Sequence, residues 1–215
     1  MNALVRLHGV AAALPQPDIN TDLIAPLVRG GPGGGQPVGI RSPEELASRL
    51  FGPWRWQADG SENPDFILNR QPWRQARFLV AGPNFACGSS RETAATMLKA
   101  FGIRCVIAPS FGQIFHDNCF RNHMLPLALD AQLVDRLVQR ALQAVPFQLD
   151  LAAGTLAVPG EPVIPVRLPA FRRDMLLSGQ DELDLNLRRE PQIAAWQEQA
   201  WRRRPWEHLL PSKES

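Results

Sequence analysis

Lysine is almost absent from this chain: Lys99 and Lys213 are the only two, and arginine carries nearly all of the positive charge. Charge of a single sign is lacking as well, since 23 basic residues face 21 acidic ones for a net of +2. So small an excess generates no long-range field and argues against a nucleic-acid partner. Cysteine is scarce. Cys87, Cys105 and Cys119 are odd in number and contain no C-x-x-C pair, which argues against a disulfide framework and against a metal centre built from this chain alone. The longest apolar runs, such as Val10–Leu14, fall far short of the ~20 residues that span a bilayer. Met1–Arg6 also lacks the charged-then-apolar-then-small pattern of a signal peptide. The expectation is a soluble, cytoplasmic protein with no membrane partner. No internal repeat is visible.

Apolar material, by contrast, is plentiful. At 45% hydrophobic over 215 residues the chain is no disordered tail. A domain of this length buries roughly 70% of its unfolded surface, so a real core is available.

The order of elements follows from periodicity and punctuation. Leu4–Leu14 reads as a first strand, followed by a polar turn over Pro17–Asp22 and a short apolar stretch, Leu23–Val28. Five glycines in the six positions 30–35 hold neither helix nor strand, so a flexible loop is expected. Ser42-Pro43-Glu44-Glu45 combines an N-cap, a proline at the first helical position and a capping-box glutamate. The helix it opens is predicted to reach about Phe51 and to stop at Gly52-Pro53. Next come a buried strand over Arg77–Ala81, a loop over Gly82–Gly88 and a helix over Ser89–Phe101. A strand over Ile103–Ala108, a helix over Phe111–Arg121, a strand over Leu125–Leu129 and a helix over Ala131–Leu142 complete the run. The last helix carries Leu133, Val134, Leu137, Val138, Ala141 and Leu142 on one face. Repeated strand–helix units imply parallel pairing through crossover helices. From Phe147 onward the alternation of Phe147, Leu149 and Leu151, the turn at Ala153-Gly154 and the strand-like Val163–Leu168 predict a second, partly antiparallel layer. Pro191–Arg204 reads as a tryptophan-containing helix with a basic end, most simply a solvated one.

The strongest chemical signal is Asn84-Phe85-Ala86-Cys87-Gly88-Ser89-Ser90-Arg91-Glu92. A strand delivers the chain into a loop of small residues that opens onto a helix N-terminus, where free N–H groups and the helix dipole attract anions. Gly88 lets a ligand approach the backbone, Ser89 and Ser90 supply hydroxyls, and Arg91 supplies a planar fork for a carboxylate. A plainer reading makes Ser89-x-x-Glu92 a capping box and Cys87 a small buried filler. Physics alone leaves the two open. A Cys-x5-Arg phosphatase loop is excluded because Cys87 and Arg91 bracket only three residues, and a Walker A loop because no lysine is present here. Asp22 is a second candidate, competing with a simple Asx-turn or cap. His116 and His123, seven apart, could share a helix face, but without a matching carboxylate pattern they favour structural roles. His8 and His208 have no context.

Several of these segments together resemble the small subunit of 3-isopropylmalate dehydratase, the swivelling domain of aconitase-type hydro-lyases carried as a separate chain. The resemblance rests on N-T-D-L-I-A-P at 20–26, N-P-D-F-I-L-N at 63–69 and N-F-A-C-G-S-S-R-E at 84–92. It continues through I-A-P-S-F-G-Q-I-F-H-D-N at 107–118, L-L-S-G at 176–179 and D-E-L-D-L-N-L at 181–187. It implies an α/β fold, a three-layer β/β/α swivelling domain like the C-terminal domain of aconitase, over residues 1–190, with 191–215 as a helical extension. It also implies that Ser89 is the base that removes the proton beside a carboxylate, that Ser90 and Arg91 hold substrate carboxylates, and that Asp22 lies at the site. The reaction implied is isomerisation of 2- and 3-isopropylmalate by dehydration and rehydration, in leucine biosynthesis. No cofactor is expected in this chain; a 4Fe-4S cluster is expected in the large subunit that is its partner.

Two departures accompany the resemblance. Thr93 stands where the family usually has histidine. After Pro26, Leu27-Val28-Arg29 and the glycine run replace an aromatic- and arginine-bearing loop that helps select the substrate's side group. Arg29 therefore has no residue-by-residue counterpart. A methyl- or dimethylmalate hydro-lyase is the second reading, and a non-catalytic carboxylate-binding subunit the third. The intact Ser89-Ser90-Arg91 argues against the last.

Overall fold

The computed structural model describes residues 3–26, 42–88, 92–180, 187, 190–204 and 206. The glycine run expected to form a flexible loop lies outside them. The chain divides into two units, residues 1–179 and 180–215.

The first unit is organised by β1 (Arg6–Leu14), one strand with two kinds of partner. Its second half, Ala11–Leu14, pairs in parallel with β2 (Phe78–Ala81). Beyond β2 the parallel ladder continues to β3 (Cys105–Ala108) and β4 (Leu125–Ala128). The first half, Arg6–Val10, pairs antiparallel with β5 (Pro146–Asp150), which leads to β6 (Thr155–Ala157) and β7 (Ile164–Pro165). The resulting order is β4-β3-β2-β1-β5-β6-β7. The parallel run matches the strand–helix alternation of the sequence. The antiparallel layer is present too, but it is continuous with the parallel strands through β1.

Residue alternation explains why both faces of the parallel strands are covered. Ala12, Leu14, Leu79, Ala81, Val106 and Ala108 face one core, shared with Leu50, Phe51 and Phe115 and with Ala94, Ala95 and Leu98 of α4 (Thr93–Phe101). Ala11, Ala13, Phe78, Val80, Cys105 and Ile107 face the other core. There they meet Val134, Leu137, Val138 and Ala141 of α6 (Ala131–Leu142), together with the inward residues Phe147, Leu149, Leu156 and Ile164 of the antiparallel strands. Each fully buried large apolar side chain contributes roughly 1.5–3 kcal/mol. On α6 the outer positions of the expected face escape burial: Leu133 is half-buried and Leu142 is 48% exposed.

The short helices follow their caps. α1 (Thr21–Ile24) is opened by Asn20, whose side chain accepts from the Leu23 N–H at 2.9 Å. α2 (Pro43–Arg49) is opened by Ser42, whose hydroxyl accepts from Glu45 N–H at 3.2 Å. The expected stop at Gly52-Pro53 is instead the start of α3 (Gly52–Arg55). Phe51 takes a left-handed φ of 52° that turns the chain, and proline suits the first turn of the helix that follows. α5 (Gln113–Arg121) and α7 (Ala170–Ser178) complete the unit. In the second unit α8 spans Glu190–Arg203. Among the described residues no helix is long and apolar enough to cross a membrane.

One segment quoted for its resemblance proves to be a staple. Asn69 is buried; its Oδ1 accepts from Arg55 Nε at 2.9 Å, and its Nδ2 donates to the carbonyls of Arg55 and Asn63 at 2.8 and 2.9 Å. Asn63 in turn donates to the Trp54 carbonyl at 2.9 Å. The buried Arg55 guanidinium thus depends on Asn69 and on the Ala47 carbonyl, 2.7 Å from Nη1. Asn69→Ala should strand this charge and cost ~2–4 kcal/mol, lowering the melting temperature by about 5–15 °C in a chain of this size. Thermal unfolding checks this, and an unchanged midpoint would refute the staple.

Candidate active site

Because β1, β2 and β3 are parallel, their carboxyl ends open on one edge, where α/β sheets place their ligands. The loops that leave them keep pairing. Ala86 N–H donates to Ile19 O at 2.6 Å and Thr21 N–H to Cys87 O at 3.0 Å. On the other side Phe85 N–H donates to Ser110 O at 3.1 Å and Gly112 N–H to Phe85 O at 2.9 Å. The parallel bridges Asn20–Cys87 and Phe85–Phe111 continue the order β1-β2-β3 beyond the strand ends. The backbone of Phe85 and Ala86, buried away from water, is satisfied by this pairing.

The pairing demands unusual backbone. Asn84 and Ala86 have φ of 55° and 57°, and Gly88 has 99°. Such left-handed conformations cost a non-glycine residue roughly 1–2 kcal/mol, less for asparagine. Gly112 answers a different need: a Cβ there would stand 2.4 Å from Ala86 O. Only glycine lets the third loop lie this close to the second.

The structure brings two of the sequence candidates together. Thr21 is bonded to Cys87, and Asp22 follows it as an exposed residue in the first turn of α1. The side chain that caps that turn is Asn20's. Ser89, Ser90 and Arg91 lie outside the described residues. On their far side α4 begins at Thr93, with Glu92 in the cap position. The reading of Ser89-x-x-Glu92 as a capping box falls outside the described residues except at Glu92. Glu92 Oε1 accepts from Asn122 Nδ2 at 3.0 Å.

The histidine pair dissolves. α5 ends at Arg121, before His123, which has a φ of 55° and is fully buried, whereas His116 is half-buried within the helix. Burial, then the charges of Lys99 and Arg104, hold His123 below the ordinary histidine range. Asp117 is engaged by Arg172 at 2.9 Å. Among the described residues no three His, Cys, Asp or Glu side chains gather to hold a metal ion. Cys105 and Cys119 are buried on opposite faces of the parallel strands, where burial pushes both thiols up. Three cysteines, one in each apolar core and one in loop 84–88, do not offer the four cysteine ligands that an iron–sulfur cluster takes. Cys87 is half-buried, its Sγ 3.6 Å from Asp18 O.

Sequence reasoning missed the side chains that bind the loops to one another. Asn84 Nδ2 donates to Asp18 Oδ1 at 2.7 Å, and Asn84 N–H donates to Ser110 Oγ at 2.8 Å. The available signal was the residue type: asparagine and aspartate beside proline in turns favour left-handed backbone and local side-chain bonds.

Comparison with known proteins agrees with this architecture. A family model described as the aconitase C-terminal domain matches residues 43–132. The 3-isopropylmalate dehydratase small subunit of Dinoroseobacter shibae is 40% identical over 208 residues, covering 96% of this chain and 100% of its own length. The protein of the same name from Jannaschia is 41% identical over 209 residues, with the same coverage. The crystal structure of 3-isopropylmalate dehydratase from Methanocaldococcus jannaschii is similar with a TM-score of 0.60 at 26% identity, covering 88% of this chain and 99% of that one.

The placement of the thiols yields a direct expectation. In the native chain a thiol reagent should modify Cys87 readily and leave Cys105 and Cys119 unmodified until denaturant is added. Mass mapping of the labelled cysteines checks this, and native labelling of either buried residue would contradict the packing described.

Proposed function

The chain belongs to the family of 3-isopropylmalate dehydratase small subunits, and from this we infer that it serves a hydro-lyase interconverting 2- and 3-isopropylmalate in leucine biosynthesis. A small subunit implies a large one. We assign the 4Fe-4S cluster to that partner, since the cysteines of this chain do not suit it. Three free cysteines, two of them deep in the core, fit a reducing compartment and hence the cytoplasm.

The part of this chain is the proton and the carboxylates. Ser89 is the proposed base for the C–H beside a carboxylate. A serine hydroxyl is ordinarily far too weak for this and needs a helix N-terminus and a neighbouring cation to stabilise its alkoxide. Arg91 and Ser90 are assigned to the substrate carboxylates, where a planar fork also stabilises the charge that grows as the proton leaves. Asp22 is assigned to substrate binding beside them. The observation that carries this reading is the joining of the Asn20–Asp22 turn to loop 84–88 by the Thr21–Cys87 bond, with Ser89-Ser90-Arg91 next in the chain.

In the assembled two-chain enzyme Ser89→Ala should lose at least ~10²-fold in turnover. A serine that served only as a cap would cost ~1 kcal/mol of stability and leave turnover intact; near-normal turnover in a folded complex would remove Ser89 from catalysis. Purified by itself, the chain should be colourless and without isomerase activity, and should gain activity on addition of the large subunit. A brown, active preparation of this chain alone would overturn the division of labour.

A further inference from the structure

Asn84 occupies a position that the assignments above leave without a role. It is exposed, yet it is the one residue of loop 82–88 whose groups bond both neighbouring loops through side chains. Its Nδ2 reaches Asp18 Oδ1 at 2.7 Å in the loop after β1, across 66 residues of sequence, and its N–H reaches Ser110 Oγ at 2.8 Å in the loop after β3. Asp18 is drawn in from the other direction, its own N–H donating to Pro83 O at 3.0 Å. Asp18 and Asn84 share a φ of 55°, the region that asparagine and aspartate tolerate best among residues with a Cβ. The bond between them is charge-assisted and therefore directional as well as strong.

We propose that Asn84, clamped to Asp18, is a positioning residue for the hydro-lyase reaction, setting the path by which loop 84–88 delivers the chain to Ser89. The proposal rests on the assignment of Ser89-Ser90-Arg91 as the reacting segment. Backbone bonds run through the loop from Gly82, whose N–H donates to Leu14 O at 3.0 Å, to Cys87, and the Asp18–Asn84 bond adds a side-chain tie at its exposed turn. Neither side chain is core, so the clamp contributes little to global stability. Its contribution is geometric, in a reaction where misplacement by about an ångström costs on the order of 10²-fold.

A charge-and-amide exchange tests this. Asn84→Asp sets two carboxylates against each other at the clamp. Adding Asp18→Asn restores one donor and one acceptor with the direction reversed, and keeps residues suited to the left-handed backbone at both positions. Two readouts are taken on the assembled complex and on this chain alone. The first is steady-state kinetics with 2-isopropylmalate; the second is the rate of Cys87 modification by a thiol reagent, which reports the same loop without reference to activity. Asn84→Asp should lower kcat by roughly 10- to 100-fold with a smaller change in KM, accelerate Cys87 labelling and barely move the melting temperature. The double variant should return both kcat and labelling rate to near the parental values. The proposal is overturned if Asn84→Asp leaves kcat unchanged, if labelling changes while kcat does not, or if the double variant is as impaired as the single one. Should the parent complex not act on isopropylmalates at all, the functional assignment fails by that result, and this proposal with it, whereas the labelling cycle still reads the clamp.

Discussion

The backbone bond from Thr21 N–H to the Cys87 carbonyl is the contact on which the candidate site depends. Parallel strands alone bring their carboxyl ends to one edge, but the loops that leave them could then diverge. Here the pairing continues past the strands, on one side through Thr21–Cys87 and Ile19–Ala86, on the other through Phe85–Ser110 and Phe85–Gly112. Loop 84–88 becomes the middle member of a short three-stranded extension of the sheet. Residues that sequence treats as three unrelated motifs acquire a common frame, and the segment that follows Gly88 leaves from it.

That frame is bought with backbone strain and close approach, at Ala86 and Gly112 above all. A buried alanine with a φ of 57° is tolerated because its N–H and its neighbours' carbonyls are all satisfied by the flanking loops. Gly112 lies against the Ala86 carbonyl because no side chain intervenes. Such features concentrate where geometry has to be over-determined. Their presence at the carboxyl edge, beside residues with no part in the apolar core, is consistent with binding and catalysis there.

The sequence foretold those parts of the fold that rest on local physics. The parallel run was legible from buried apolar strands alternating with helices, the start of α2 from Ser42 and Pro43, and α6 from its apolar stripe. What escaped depends on distant partners. That β5 would add to the free edge of β1, making the antiparallel layer continuous with the parallel one, is a choice among sheet edges that periodicity does not express. The Glu92 carboxylate is bonded by Asn122 from the turn after α5, a contact that local sequence does not express. The seven-residue spacing of His116 and His123 suggests a shared helix face, but α5 stops at Arg121 and His123 turns away with a φ of 55°. In the site, residue types and the segment boundaries were readable. The clamp of Asp18, Asn84 and Ser110 was not, since it joins three loops that meet only in the folded sheet.

The same geometry accounts for the need for a second chain. The edge formed by the three loops is open: Asp18, Asp22, Asn84, Gly88 and Ser110 are all exposed. Dehydration and rehydration on the two sides of one double bond require that water be admitted at a chosen face and kept from the other. Charges also act strongly only where solvent has been displaced. An open rim of this kind does neither by itself. What it supplies is order in advance. Loops stitched to one another by backbone bonds lose little freedom when a partner surface meets them, so the entropy of ordering these loops is met during folding rather than at each encounter. In the proposed function this chain is a half-site whose loops after β1, β2 and β3 are ordered in advance, and the large subunit is the partner that completes it.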